Sequence, residues 1–352
     1  MSNQKPPYQL AVAGSTRYTA DLANILAADD RFTITWVMSP ATKSVGRKPD
    51  LIDNPLHLWA VEQAVPSIRI TNKIDQKVKQ EIERLNNGID ILLVVDFGYF
   101  VPEWLVELPK VAPLNLHPSK LPEWRGSSPG QAVLMSGAQT SAITLMQIDK
   151  QLDHGPIIFQ QPFNVESTWT QVEYYQAAFA SISPKIGNLI EQFILGELSP
   201  TTQPDSSPTP TVRELTKADS FIPWELVLNL MSKTIQTDKL ETFGSQLPPF
   251  LADLWKYLNN PPNSNNSNQG TTKAGVSDFV AFIARAARAL SPWPQLWTRV
   301  PTTKGERRMK ILSVNPEFTN RLTLKQVQLE GQQPALWNQV KNSVLNLEHA
   351  QP

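Results

Sequence analysis

Short apolar runs alternate with stretches of helical period over the first half of the chain. Residues 9–13 and 91–95 have the length of strands, and the second is continuously apolar, as expected for a parallel strand covered on both faces. Residues 76–85 repeat apolar side chains at helical spacing, and so do residues 170–197, which Pro184 should interrupt. This alternation predicts an α/β domain built on a doubly wound, mostly parallel sheet.

The pattern changes near residue 198. Residues 199–213 are rich in Pro, Ser and Thr, a composition typical of a linker, so we expect one domain over 1–198 and another over 214–352. The second domain contains a helical stretch at 276–290, and the short strand-like runs that follow it indicate a small barrel. These runs are residues 310–314, 322–329 and 343–347.

One strand carries polar side chains that suggest chemistry. Asn115 and His117 are two residues apart at the end of the apolar run 111–116, so both point to the same side, and Asp153 follows in a later loop. An amide can donate to a carbonyl oxygen that gains negative charge, and an imidazole can take a proton, which favours acyl transfer. The same residues also fit a structural role, in which Asp153 opens a tight turn before Gly155. The spacing alone leaves both interpretations open.

Composition narrows the class of protein. The 352 residues contain no cysteine, which excludes disulfides, a thiol nucleophile and thiolate zinc sites, and we expect no metal. The single Gly14 after the first strand lacks the G-x-G-x-x-G pattern, which makes NAD or FAD binding unlikely. No basic-apolar leader and no apolar run of about 18 residues occurs, so we expect a cytoplasmic protein that does not enter the membrane. Ten basic and five acidic residues follow Gly275, although the net charge of the chain is zero.

Two strings of sequence resemble a known family. Residues 115–129, NLHPSKLPEWRGSSP, and 144–160, TLMQIDKQLDHGPIIFQ, are similar to the signature of the folate-dependent formyltransferases, most closely the branch that acts on methionyl-tRNA, of which the chain would be a divergent member. Residues 289–294 resemble the Pro-Trp-Pro segment of that branch's C-terminal domain. Lys120 and Gln295 depart from the family pattern, which has Leu and Gly there.

The resemblance implies the fold, the chemistry and the partners. The fold would be a formyltransferase-type sheet over 1–198, joined by the linker to a tRNA-binding OB-like barrel of five strands over 214–352, with an insertion at about 236–275. The reaction would move a formyl group from 10-formyltetrahydrofolate, the co-substrate, to initiator methionyl-tRNA, and the enzyme would act as a monomer. The implied site residues are Asn115, His117 and Asp153 for catalysis, Phe97, Gly98, Tyr99, Ser119, Leu121 and Pro122 for folate, and Arg47 and Lys48 for tRNA.

Other functions share the same three catalytic residues. A formyltransferase that acts on a sugar nucleotide or another small amine would use them, as would a hydrolase of formyltetrahydrofolate. A noncatalytic nucleic-acid-binding relative is a further alternative, because the basic loop near Arg47 is divergent and the second domain carries an insertion.

Overall fold

The structure is a computed structural model of the whole chain. It describes residues 6–45, 50–85, 88–232, 240–260, 275–303, 305–315 and 321–345.

The described residues form thirteen strands and twelve α-helices. The strands are β1 Tyr8–Gly14, β2 Phe32–Pro40, β3 Lys43–Val45, β4 Asp50–Ile52, β5 Ser67–Ile70, β6 Ile91–Val95, β7 Ala112–His117, β8 Thr140–Gln147, β9 Ile157–Asn164, β10 Trp297–Val300, β11 Arg307–Val314, β12 Leu324–Leu329 and β13 Ala335–Leu336. The helices are α1 Arg17–Ala27, α2 Pro55–Glu62, α3 Gln76–Leu85, α4 Glu103–Val106, α5 Pro129–Ser136, α6 Gln171–Ile182, α7 Ile186–Ile194, α8 Trp224–Met231, α9 Leu240–Ser245, α10 Pro249–Asn259, α11 Val276–Ala289 and α12 Trp337–Leu345.

The chain divides into two compact units, and neither is continuous in sequence. The first consists of Met1–Arg125, Ala142–Phe163 and Gln176–Ser207, and the second of Gly126–Ser141, Asn164–Tyr175 and Pro208–Pro352. The functional division at 1–198, 199–213 and 214–352 stays a prediction.

The first unit is built on a seven-stranded sheet in the order β5-β2-β1-β6-β7-β8-β9. The strands β5, β2, β1, β6 and β7 run parallel, and β8 is antiparallel to β7. All five residues of β6 are buried, in agreement with the continuous apolar run. Because the strand order reverses between β1 and β6, the crevice outside their carboxyl ends is where an open α/β sheet binds ligands. The predicted doubly wound, mostly parallel sheet is thereby confirmed.

The long helical pattern near the end of this sheet is interrupted as predicted. Helix α6 ends at Ile182, Pro184 lies in a 3₁₀ turn at Ser183–Lys185, and α7 begins at Ile186. Proline lacks the N–H that an α-helix needs in its interior, which explains the break.

The second unit contains a four-stranded antiparallel sheet in the order β10-β11-β12-β13. Helix α11 packs against α5, and Trp255 of α10 lies 4.8 Å from Phe279 of α11, ring centroid to centroid. The described residues thus place four strands where the resemblance implies a five-stranded barrel. The predicted last strand at 343–347 is wrong in its described part, because residues 343–345 belong to α12. Short apolar runs do not distinguish a strand from a helix by periodicity.

Gln295 stands at a position where the family pattern has a glycine. Its backbone has φ +69°, in the left-handed region that glycine adopts freely. The side chain is buried, and its Nε2 donates a 2.6 Å hydrogen bond to the carbonyl oxygen of Ile311 on β11. This hydrogen bond offsets part of the backbone strain. The replacement of glycine by Gln295 therefore changes a turn of the second unit.

None of the helices in the described ranges is both long and apolar enough to cross a bilayer.

Candidate active site

The carboxyl end of β7 holds two of the predicted catalytic side chains. Asn115 is half-buried and His117 is buried, and the strand pairs with β6 on one side and β8 on the other. Asn115 is in register with Val94 of β6 and Met146 of β8. The neighbouring strands therefore fix the backbone position of both side chains.

Asp153 reaches this strand end from the loop between β8 and β9. Its backbone has φ +50°, a conformation that Asp tolerates better than most residues. Two residues later, a Cβ on Gly155 would lie 2.0 Å from the carbonyl oxygen of Gln147, so only glycine fits there. The glycine of the Asp-x-Gly sequence is thus required by a tight turn that packs against the end of β8.

The structure brings the three side chains together. The Asn115 amide Nδ2 donates to Asp153 Oδ1 across 3.4 Å, and His117 Nδ1 lies 3.6 Å from Asp153 Oδ2. The side chains of His117 and Asp153 are only 5% and 12% exposed. An amide, an imidazole and a carboxylate therefore share one nearly dry position, where electrostatic interactions are stronger than in water.

The second ring nitrogen of His117 fixes the tautomer. Nε2 lies 3.1 Å from the carbonyl oxygen of Trp124, whose backbone has φ +59°. A carbonyl oxygen only accepts, so Nε2 carries a hydrogen and donates it. Nδ1 is then the nitrogen that can take up a proton, and it is the nitrogen that faces Asp153.

Two further residues hold the Asp153 loop. Gln203 Nε2 donates to the carbonyl oxygens of Asp153 (3.1 Å) and Gly155 (2.7 Å). Its Oε1 accepts from the guanidinium of Arg125 at 3.0 and 3.2 Å, and both residues are buried. Arg125 also donates to the carbonyl oxygens of Pro204 and Asp205. We call Arg125 and Gln203 the bracket, since together they fix the backbone on either side of His154.

Nearby carboxylates affect the pKa of the Arg125 guanidinium. Burial lowers the pKa of the Arg125 guanidinium, and the carboxylates of Asp149, Asp153 and Asp205 oppose this shift. Three carboxylates thus surround a buried cation, which favours its charged form.

Sequence reasoning missed the bracket. Arg125 lies within the quoted string 115–129, whose Trp-Arg-Gly was not assigned a role, and Gln203 lies in the predicted linker. A buried arginine needs acceptors, but the sequence does not show which segment supplies them. The side chain of His154 is only 14% exposed, and its Nδ1 lies 2.8 Å from Asp149 Oδ2.

Comparison with known proteins shows which family this part of the chain matches. Residues 11–183 match the sequence profile of the family described as formyl transferase, and this range contains all three catalytic candidates. Residues 11–183 form a formyl transferase domain.

Two relatives with curated names are methionyl-tRNA formyltransferases. The chain is 30% identical over 194 residues to the methionyl-tRNA formyltransferase of Rickettsia rickettsii (strain Iowa), which is 53% of this chain and 60% of the relative. It is 26% identical over 221 residues to the methionyl-tRNA formyltransferase of Alcanivorax borkumensis, 62% of this chain and 66% of the relative. The chain therefore spans about 60% of the length of the first relatives that it matches.

One solved structure covers both units. The methionyl-tRNA formyltransferase from Clostridium thermocellum aligns with 92% of this chain and 98% of its own, with a TM-score of 0.50 and 13% identity. At this identity the likeness concerns the fold alone.

The segment after β6 of the formyl transferase domain has open space beside a glycine. Phe97 and Tyr99 pack against the core, with ring centroids 5.2 Å apart, and the Tyr99 hydroxyl donates to the carbonyl oxygen of Ile70 at 3.2 Å. A Cβ on Gly98 would meet nothing within 4 Å. The two rings are thus held by the protein, while the glycine backbone between them stays accessible.

Several residues of the loop after His117 are buried or form hydrogen bonds within the protein. Ser119 is buried and its hydroxyl donates to the carbonyl oxygen of Glu123 at 2.6 Å. Leu121 is buried and its carbonyl oxygen accepts from Gln160, whereas Pro122 is half-buried. Lys120 is exposed, so this departure from the family pattern does not enter the interior. The folate role of Ser119, Leu121 and Pro122 stays a prediction.

The predicted tRNA-binding residues Arg47 and Lys48 lie outside the described residues. The structure does describe β3 and β4, the antiparallel pair on either side of them. Within the described ranges, no group of three or more His, Asp or Glu side chains is arranged to hold a metal ion.

Proposed function

We propose that the protein transfers a formyl group from 10-formyltetrahydrofolate to the α-amino group of methionine on initiator tRNA. The observation that carries this proposal is the meeting of Asn115, His117 and Asp153, with 3.4 and 3.6 Å separating the first two from the carboxylate of the third. The formyl transferase profile over residues 11–183 and the names of the curated relatives support it.

Asn115 is suited to stabilise negative charge. Its amide nitrogen carries two hydrogens, and the contact with Asp153 engages one of them. The other can donate to a formyl oxygen as the amine attacks and that oxygen becomes an oxyanion. Such a donor typically contributes about 3 kcal/mol to catalysis.

His117 and Asp153 are suited to handle the proton of the amine. A free α-amino group titrates at about 7.7 to 8.0, so a neutral, nucleophilic fraction exists near neutral pH. Attack makes the nitrogen positive, and its proton can pass to the Asp153 carboxylate. His117 Nδ1, 3.6 Å from Asp153, can share that proton before it reaches the leaving nitrogen of the folate. No enzyme nucleophile is needed, because the acceptor amine attacks directly.

The folate co-substrate would bind next to β6. Gly98 leaves its backbone accessible, and Phe97 and Tyr99 supply aromatic side chains on either side. When bound, the folate supplies the activated formyl group. We assign Phe97, Gly98, Tyr99, Ser119, Leu121 and Pro122 to this interaction.

The tRNA partner would contact basic residues. We assign Arg47 and Lys48 to this contact, together with the basic excess after Gly275, because phosphates attract clustered Lys and Arg. We further propose that the enzyme acts as a monomer in the cytoplasm and takes part in translation initiation.

Replacing Gly98 by alanine should weaken folate binding without harming the fold. The new methyl group would enter open space, so the melting temperature should stay within about one degree, while it would block close approach of a flat ring to the backbone. The KM for 10-formyltetrahydrofolate is expected to rise by about tenfold or more, since a badly placed group at a close contact costs over 1.4 kcal/mol. Gly88→Ala, at the other end of β6, is the matched control. An unchanged KM would remove Gly98 from the folate site.

Acceptor choice tests the proposed substrate. We would compare kcat/KM for charged initiator tRNA with kcat/KM for a nucleoside-diphosphate-linked amino sugar at physiological salt. The proposal requires the tRNA to be the better acceptor and its KM to rise with salt, because phosphate contacts release counterions. A preference for the amino sugar would instead make the chain a sugar formyltransferase.

A further inference from the structure

An imidazole closes the loop that carries Asp153. His154 Nδ1 lies 2.8 Å from Asp149 Oδ2, and the other carboxylate oxygen of Asp149 accepts from the backbone N–H of Gln151 at 2.9 Å. Both oxygens of this carboxylate thus bind groups of the same loop, two and five residues further along the chain. The loop from Asp149 to Gly155 therefore folds back onto its own first residue.

The start of this loop is anchored to β7. The backbone N–H of Ile148 donates to the carbonyl oxygen of Pro113 at 2.9 Å, and Pro113 belongs to β7. The backbone N–H of Gln147 donates to the carbonyl oxygen of Pro156, also at 2.9 Å, which joins the two ends of the loop. Asp149 follows Ile148 directly, so its backbone is fixed relative to β7. A side chain that binds the Asp149 carboxylate is thereby held near the same strand.

The hydrogen-bonding state of the His154 ring follows from its partners. A carboxylate only accepts, so Nδ1 carries a hydrogen and donates it to Asp149. Nε2 is buried without a hydrogen-bond partner in the described ranges, and its distance of 3.9 Å from Asp205 Oδ1 is too long for one. The Asp205 side chain is fully exposed, so its charge contributes little. The imidazole is only 14% exposed, and the bond to Asp149 is the one that holds it.

Asp153 needs support because its backbone has an uncommon conformation. A left-handed φ of +50° persists in a residue other than glycine only where surrounding contacts maintain it. Gln203 holds the carbonyl oxygens of Asp153 and Gly155, and the side chain of His154, the residue between them, is held by Asp149. The direction of the Asp153 carboxylate therefore depends on the neighbouring imidazole as well as on the bracket.

We propose that His154 is a positioning residue, which acts through its Nδ1 hydrogen bond to Asp149 and holds the carboxylate of Asp153 at the end of β7. This inference rests on the proposed formyl transfer, and it adds one requirement to that site, namely a hydrogen-bond donor at the place of Nδ1. A displacement of about 1 Å between reacting groups can slow a reaction by about a hundredfold. Loss of the donor should therefore lower kcat, while folate binding beside β6 should be unaffected.

Leucine and asparagine at this position separate the donor from the bulk of the ring. His154→Leu keeps an apolar side chain of similar bulk without the donor, and His154→Asn places an amide N–H close to the place of Nδ1. In His154→Leu, kcat at saturating methionyl-tRNA should fall by about tenfold, since tenfold corresponds to about 1.4 kcal/mol and a hydrogen bond to a charged group contributes about that much. The KM for 10-formyltetrahydrofolate should stay at the parent value. His154→Asn should recover most of the lost kcat.

His57→Leu is the matched control. His57 is half-buried on α2, and its Nδ1 lies 2.9 Å from the hydroxyl of Ser67 on β5, which is four strands away from β7 in the sheet. The change removes one imidazole hydrogen bond from the same unit and should lower the melting temperature without lowering kcat. It therefore separates a general loss of stability from a loss of position. His154→Ala, which also lacks the donor, replaces the leucine variant if that variant does not fold.

Cleavage by trypsin gives a measurement that needs no turnover. Lys150 lies in the loop and its side chain is 83% exposed, so cleavage after Lys150 reports how often the loop opens. In His154→Leu this cleavage should be about tenfold faster than in the parent, because the same hydrogen bond no longer opposes opening. His154→Asn and His57→Leu should be cleaved there at the parent rate. Mass spectrometry of the fragments identifies the bond that is cut.

The proposal is overturned if His154→Leu keeps the parent kcat, if its loop is cleaved no faster than that of the parent, or if His154→Asn behaves like His154→Leu. An equal loss of kcat in His57→Leu would also overturn it. A parent that fails to formylate methionyl-tRNA, with faster cleavage after Lys150 in His154→Leu alone, would contradict the proposed function and leave the closure of the loop by His154 standing.

Discussion

Asn115→Ala is expected to slow formyl transfer by about a hundredfold or more, because it removes the donor assigned to the developing oxyanion. The change should appear in kcat, since the interaction forms only as the formyl oxygen gains charge. Folding should survive, because Asn115 is half-buried and makes a long 3.4 Å contact with Asp153. Steady-state rates at saturating folate, measured beside thermal unfolding, would test both parts.

Gln151→Ala is the matched control for Asn115. It removes an exposed amide from the loop that carries Asp153, so its kcat should equal that of the parent. If Asn115→Ala turned over at the parent rate with an unchanged melting temperature, Asn115 would have no catalytic role.

Arg125→Met should lower the free energy of unfolding by about 3 kcal/mol, because it removes a buried cation's hydrogen bonds and leaves the buried Gln203 and two carbonyl oxygens without their donor. These acceptors are Gln203 Oε1 and the carbonyl oxygens of Pro204 and Asp205. The backbone on either side of His154 would lose part of its support, so turnover should also fall. Denaturant unfolding and turnover of the same preparation would measure the two effects.

Arg17→Met provides the comparison for Arg125. Its guanidinium is 80% exposed and pairs with Asp21 on the surface of α1, so little stability should be lost. Gln203→Ala should reproduce the fall in turnover, because it removes the donors to Asp153 and Gly155 directly. If Arg125→Met were as stable and active as the parent, the bracket would not support the site.

The sequence predicted best those features that depend on one short stretch of residues. The continuous apolar run at β6 predicts a buried central strand, and Pro184 predicts the break between α6 and α7, as the structure has them. The period of two along β7 predicts that Asn115 and His117 share a face. These signals are local, so a single stretch of sequence contains them.

Contacts between distant segments were not predictable. Gln203 lies 50 residues from Asp153, in a stretch whose composition indicates a linker, and nothing in that composition shows that the side chain is buried. The final strand at 343–347 was predicted wrongly for a different reason, since a short apolar run does not distinguish a strand from a helix, and residues 343–345 belong to α12.

The most direct test of the proposed function is formyl transfer by the purified full chain. Charged initiator methionyl-tRNA and 10-formyltetrahydrofolate with a labelled formyl group would be mixed with the parent and with Asp153→Asn, whose amide keeps the shape and removes the charge. A fluorescent folate analogue would report binding in both proteins. We expect labelled formyl-methionine from the parent, and from Asp153→Asn the loss of most of that activity with folate affinity retained. Absence of transfer by the parent, or equal rates in the two proteins, would contradict it.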